Sequence, residues 1–396
     1  MSKVLNVSII KSLIATHERE FIQIRRDLHQ YPELSFDEKN TSLKLQSLLS
    51  QWNIDFTSGW AGYGIVGTLT GGKNSSEIIA LRADMDALPI QETTNEVFSS
   101  QNKGIMHACG HDIHTTCLLA ALKILKSCQS DWGGTIKFIF QPAEEKLPGG
   151  ASIMIKEGVL LEPRPSVIIG QHVQPKMPVG SAGICSGLSM ASCDELYITI
   201  KGKGGHAALP HLAVDPIQIA AQVVLGLQTL ITREKPPIVN ALLSFGKINT
   251  TGGATNIIPD EVRLEGTFRA MDEEFRNYAH QRIHAIVNEI CEAYQGTAEI
   301  TVEKGYPCLI NDTSASIKWN EYASEFIGIQ NIAKVPPRMT SEDFSYYSQH
   351  IPACFYRLGV GDTTQVHTST FNPNEGAIAE GAGLLTWLAL RFLGNT

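Results

Sequence analysis

Hydrophobic positions recur along this chain with two periods, and their alternation outlines a fold before any chemistry is considered. Over residues 8–30 the apolar side chains Ile9, Leu13, Phe21, Ile24 and Leu28 keep helical spacing, and Pro32 ends the pattern. A second helix is expected over 36–52. Short apolar runs at 64–69 and 78–82 read as buried strands, with further strands at 135–140 and 167–170. Between them a long apolar helical run covers 115–126. From about Leu188 the rhythm changes to strand 192–202, helix 215–231, strands 238–248 and 261–269, helix 273–294 and strand 298–304, the βαββαβ order of a ferredoxin-like unit. The chain then returns with a helix start capped by Ser341, a strand at 354–359 and a closing helix at 377–393. The fold class that follows is α/β: one discontinuous domain over 1–186 and 305–396, interrupted by a smaller ferredoxin-like domain over 187–304.

Length and composition agree with this division. A chain of 396 residues exceeds one ordinary core, and a hydrophobic share of 43% is that of a soluble globular protein. A net charge of −8 leaves no basic footprint for nucleic acid or anionic membrane. No apolar run reaches the roughly 18 residues of a spanning helix. The apolar patch at the start runs into His17-Glu18-Arg19-Glu20 without a small-residue cleavage site, which makes a poor signal peptide. Eight cysteines, scattered from Cys109 to Cys354, form no tight framework, so buried free thiols and a reducing cytoplasm are expected.

The candidate chemistry gathers at strand ends. Met106 to His114 carries three histidines, Cys109 and Asp112 in nine positions, on what reads as a loop feeding a helix. Imidazole, thiolate and carboxylate at that density suit a divalent metal, although a buried cysteine beside capping histidines is also compatible. Three successive strands end in Asp84 and Asp86, in Glu144 and Glu145, and in His172. Open α/β sheets place their ligands at such carboxyl ends, and adjacent carboxylates repel unless a cation or proton relieves them. Taken singly these are capped or acidic turns; their joint occurrence on one sheet edge is the argument for a site. In the insert, Gly204-Gly205 present His206, a Gly-rich turn carries Asn256, and Arg269 ends a strand. His367 stands far downstream as a further imidazole.

Together the segments 29–36, 82–89, 106–115, 141–145, 170–173, 204–210, 256–260, 266–269, 341–344 and 367–371 resemble the metal-dependent aminoacylase and carboxypeptidase family, in its N-acyl-amino-acid amidohydrolase branch with hippurate and auxin-conjugate hydrolases. The resemblance implies two divalent ions per subunit, held by Cys109, His111, Glu145, His172 and His367, with Cys109 bridging; thiolate and imidazole favour zinc, while the carboxylate and a bridging water also suit manganese. It implies Glu144 as general base, Asp86 as an orienting carboxylate, and Asp84 outside the metal's ligand set. It also implies a homodimer through the insert, with His206 reaching the partner's active site, and a substrate-binding pair of Asn256 and Arg269, the latter taking a free carboxylate. Ile113, Thr340, Val366 and Thr368 depart from the family's usual residues, which puts the pocket's shape in play. The expected activity is hydrolysis of N-acyl-L-amino acids. A dipeptidase or carboxypeptidase of the same fold, a silent binding protein and a thiol hydrolase using Cys109 are the alternatives.

Overall fold

The computed structural model describes residues 4–395, which divide into two compact units. The first comprises residues up to Gly187, Ile310–Pro336 and Asp343 onward; the second comprises Leu188–Leu309 and Pro337–Glu342.

The first unit opens with α1 (Val7–Gln30), whose N-terminus is capped by the Asn6 side chain accepting from the Ile9 amide. Its stripe of Ile10, Ile14, Phe21, Ile24 and Leu28 is buried. Helix α2 (Lys39–Gln51) begins three residues later than its apolar pattern, because Phe36 sits at φ 70° and cannot be helical. The Glu33 carboxylate takes the Asn40 and Thr41 amides at its start instead. There follow β1 (Phe56–Trp60), which lies in a Gly-rich stretch and has no apolar signal, β2 (Gly64–Thr70), β3 (Lys73–Asp84), α3 (His111–Ser127), β4 (Gly133–Gln141), α4 (Gly150–Lys156), β5 (Ile168–Gln174) and β6 (Ala182–Ile184).

The second unit contains β7 (Asp194–Lys201), β8 (Gly205–His206), α5 (Pro216–Thr229), β9 (Ala241–Thr250), β10 (Ile257–Ile258), β11 (Glu261–Ala270), α6 (Glu273–Ala293) and β12 (Thr297–Lys304). Its main sheet runs β9-β11-β7-β12, antiparallel throughout. Period-2 burial along β7 (Leu196, Ile198 and Ile200 inward) sets one face against Ile219, Val223 and Leu227 of α5 and Ile283 and Val287 of α6. The short β8 and β10 pair separately, His206 opposite Ile257. Residues 337–342 join this unit through Arg338, whose amide donates to Ser189 O while its carbonyl accepts from Ala191.

Back in the first unit, α7 (Thr313–Ile327), α8 (Ser345–Ser348), β13 (Ala353–Gly359) and α9 (Gly376–Phe392) complete the chain. The expected Ser341 cap is not there. Helix α8 starts only at Ser345 and no side chain caps it, while Ser341 Oγ instead accepts from Arg269. The sheet order is β1-β2-β4-β3-β5-β13-β6, with β4, β3, β5 and β13 parallel. Helix α3 is buried almost all round and touches both α1 and α9, which accounts for its near-continuous apolar sequence. Among the described residues no helix is long and apolar enough to cross a membrane.

Candidate functional site

Strands β4, β3 and β5 lie side by side, so their carboxyl ends bring Glu144 and Glu145, Asp84 and Asp86, and His172 to one edge. Helix α3 aims its N-terminus at the same edge. It starts at His111 rather than at Thr115, so His111 and His114 occupy its first turn and share a face. Gly110 supplies the left-handed residue (φ 83°) before it, and its Cα packs so closely on Val173 that an added Cβ would meet Cγ2 at 2.6 Å.

Hydrogen bonds set the tautomers of His111 and His172 at this edge. His111 Nδ1 lies 3.0 Å from Asp86 O and 3.1 Å from Asp86 Oδ1, both acceptors, so Nδ1 carries a proton, and in the neutral ring the lone pair falls to Nε2. His172 Nδ1 donates to Val173 O at 2.8 Å, which leaves its Nε2 facing Cys109 Sγ at 3.4 Å. Asp86 is itself held by Ser35 Oγ at 2.7 Å and the Glu145 amide at 3.0 Å. His367, at φ 63° with its amide on Ala108 O, places Nε2 3.1 Å from Glu145 Oε1.

Two buried atoms here have no hydrogen-bond partner: His111 Nε2 and Glu145 Oε1. The 3.1 Å approach of His367 to Glu145 lacks the alignment of a hydrogen bond. Leaving such groups unmet costs roughly 1–3 kcal/mol each. Donor atoms nonetheless converge on them: Cys109, His111 and His172 form one set, Cys109, Glu145 and His367 a second, and His111, Glu144 and Glu145 a third. The field has the matching sign. Burial opposes charge on His111, yet Asp84, Asp86 and Glu145 outweigh it and push its pKa up to about 10. A pocket that would hold an imidazolium this firmly is one that calls for a cation. Imidazole, thiol and carboxylate gathered around orphaned polar atoms, and able to give up their protons to a dication, are the donor chemistry of a divalent metal.

Around this core lie Arg82, His114, Glu38 and Asp343, to which the sequence reading gave no role. Arg82 sits wholly buried, with Nη1 2.5 Å from Asp84 Oδ2, Nε 2.8 Å from Gln141 Oε1 and Nη2 2.8 Å from Asp343 Oδ1. His114 Nδ1 lies 2.6 Å from Asp84 Oδ1, so that carboxylate is occupied on both sides. Glu38 accepts from the Ala143 amide at 2.8 Å and so holds Ala143 at φ 54°, beside Glu144. Glu144 Oε1 accepts from the Asp343 amide at 3.4 Å. The His-to-His spacing of three was the available signal for His114; Arg82 and Asp343 are 261 positions apart and had none.

The second unit carries the other three candidates. His206 is exposed on the β8–β10 ladder, and its Nδ1 accepts from the Ala208 amide at 3.1 Å, which leaves Nε2–H as a donor. Exposed Asn256 adjoins it, its carbonyl accepting from Ala207 at 3.0 Å. Arg269, half-buried near the end of β11, is anchored through Nη1 to Met339 O and Ser341 Oγ, each at 3.2 Å.

Comparison with known proteins identifies relatives of the chain. Residues 80–391 match the sequence model of Peptidase family M20/M25/M40. The chain is 39% identical over 381 residues to an N-acetyl-L-cysteine deacetylase of Bacillus subtilis, covering 96% of this chain and 90% of that protein. It is 41% identical over 362 residues to an N-acetyldiaminopimelate deacetylase of Bacillus cytotoxicus, covering 91% and 94%. A solved dinuclear metal-binding peptidase of the M20 family from Bacillus subtilis superposes with a TM-score of 0.82 at 32% identity, over 96% of this chain and 100% of that one.

Proposed function

The chain belongs to Peptidase family M20/M25/M40, and from that premise we propose that it is a metal-dependent amidohydrolase that cleaves N-acyl-L-amino acids to a carboxylic acid and a free amino acid. The observation that carries this reading is the convergence of Cys109, His172 and His367 on the orphaned His111 Nε2 and Glu145 Oε1. The deacetylase relatives support the reaction class.

Cys109, His111, Glu145, His172 and His367 would hold two divalent ions, zinc or manganese. When bound, such a pair supplies Lewis acidity and an acidified water. Glu144 takes the proton of the attacking water and returns it to the leaving nitrogen, one carboxylate serving as base and then acid. Asp86 keeps His111 in the tautomer that presents its lone pair. His206, from the second copy of a homodimer, offers Nε2–H to the oxyanion, and Arg269 with Asn256 receives the substrate's free carboxylate. The second unit supports dimerisation with exposed apolar side chains on α5, Ile217 and Leu225, and with the edge strand β9. All eight cysteines are free, which supports a reducing compartment, the cytoplasm.

The test is hydrolysis of N-acetylcysteine, N-acetylmethionine, hippurate and simple dipeptides by chelator-stripped protein, with zinc, manganese or nothing returned. Activity on an N-acyl amino acid that returns only with metal is expected. Turnover of dipeptides alone would move the assignment to a peptidase.

A further inference from the structure

Strand β5 outruns its partner. The β3–β5 ladder pairs only Ala80–Arg82 with Ile168–Gly170, whereas β5 continues beside β13 as far as Gln174. Past Gly170 the two strands no longer exchange hydrogen bonds, and the buried Val173 lies in that stretch, one residue after His172. A buried amide left there would cost as much as any orphaned donor. Its partner is a side chain: His114 Nε2 accepts the Val173 N–H at 2.9 Å. Accepting at Nε2 obliges the ring to carry its proton on Nδ1, which donates to Asp84 Oδ1 at 2.6 Å. Asp84 can impose this because Arg82 grips its other oxygen, and Arg82 is tied in turn to Gln141 and Asp343. The Val173 carbonyl takes the His172 Nδ1 proton at 2.8 Å. Both polar groups of one peptide residue therefore connect two imidazoles, while its side chain bears on Gly110, between Cys109 and His111.

We propose that His114, locked by Asp84 as the Nδ1–H tautomer, is a positioning residue that replaces the missing ladder bond and so fixes His172 beside Cys109. This rests on the metal reading of that edge. His114 has no spare lone pair for an ion, because one nitrogen is protonated and the other is filled by the Val173 N–H. Its effect on metal binding passes through Val173 and His172, and outer partners of metal-binding imidazoles typically govern affinity by 10–100-fold.

Two substitutions separate this role from general support of the core. In His114→Gln the side-chain oxygen reaches the Nε2 place and can still accept from Val173; His114→Asn reaches only the Nδ1 place and keeps Asp84 but loses Val173. Zinc affinity of the stripped protein, read by competition with a fluorescent chelator, is expected to be at least tenfold weaker for His114→Asn than for His114→Gln. A difference under tenfold overturns the proposal, whatever the melting temperatures. Should either variant fail to fold, nitrogen-15 spectra of labelled histidine in the stripped wild-type protein decide: a protonated Nδ1 with an unprotonated Nε2 is expected for His114, and the opposite tautomer overturns the assignment. Wild-type protein that binds no zinc would refute the metal reading itself, and the tautomer result would still stand or fall separately.

Discussion

The sulfur of Cys109 lies 3.4 Å from Nε2 of His172, a contact that by distance alone matches a thiol nucleophile and its base. Their surroundings oppose that chemistry. Burial, with Glu145, Glu144 and Asp84 adding to it, pushes the Cys109 thiol well above its usual range, and burial with Arg357 and His114 depresses the basicity of His172. Neither group gains an ion by exchanging the proton, whereas a bound dication would stabilise the thiolate outright. Chelation is therefore expected to abolish hydrolysis reversibly, and iodoacetamide at neutral pH to leave the metal-loaded enzyme active. Loss of activity on alkylation together with indifference to chelators would put the nucleophile at Cys109.

Adjacent carboxylates are assigned different tasks. Glu145 Oε1 is orphaned among the donor atoms, while Glu144 Oε1 is held by the Asp343 amide. Glu144→Gln keeps the acceptor but removes the base, so kcat should fall by about 10²–10⁴. Metal content, measured by elemental analysis of the dialysed protein, should stay near wild type. A variant stripped of metal would mean that the two glutamates have been exchanged.

The strand–ligand rhythm was legible in the chain because each strand end is a local event: an apolar run, then Asp, Glu or His. The ferredoxin-like order was legible for the same reason. What the sequence hid is non-local. Helix α3 begins four residues before its apolar run because Gly110 turns the chain at φ 83° and His111 and His114 find acceptors on Asp86, just past β3, and on Asp84 at its end. Ser341 has the composition of a cap, yet Arg269 takes its hydroxyl. Asp343, in the same acidic turn, serves Arg82 on a strand far away in sequence. No periodicity encodes such pairings, because burial of a charge obliges a partner without saying where in the chain it is.

Glu38 predicts a pH signature. Burial, reinforced by Asp86, pushes its pKa up to about 7 from an ordinary 4.5, against the opposing pull of the backbone amides of Glu38, Ala143 and Phe36. The folded protein thus holds this proton more tightly than the unfolded chain, and stability falls as pH rises from about 4.5 to 7, then levels. The loss amounts to about 3 kcal/mol for this group. Urea unfolding of stripped wild-type and Glu38→Gln proteins should give curves that converge or cross over that window, wild type losing ground as pH rises. Parallel curves would show that Glu38 does not titrate there.

Arg269 is anchored through one guanidinium nitrogen, and a planar fork is what a carboxylate is recognised by. Arg269→Lys keeps the charge and loses the fork. KM for N-acetylmethionine should rise about tenfold, the roughly 1.4 kcal/mol of one charge-assisted hydrogen bond. The corresponding N-acyl amino-acid amide, which has no free carboxylate, should show no such change. An equal loss on both substrates would remove Arg269 from carboxylate recognition.

Gly110 tests how tightly the cluster is packed. At φ 83° an alanine carries a left-handed strain of about 1–2 kcal/mol, and its methyl would stand 2.6 Å from Val173 Cγ2 and 3.1 Å from Cγ1. Overpacking of that kind adds about 1–3 kcal/mol. Relief by movement of Val173 would disturb His172, and relief by movement of residue 110 would shift Cys109 and His111. Gly110→Ala should therefore lower both the urea midpoint and zinc affinity. Adding Val173→Ala removes the clash without the strain, so the double variant should recover part of the zinc affinity while staying below wild type in stability. If Gly110→Ala alone binds zinc and unfolds like wild type, the close approach to Val173 does not set the geometry of this edge.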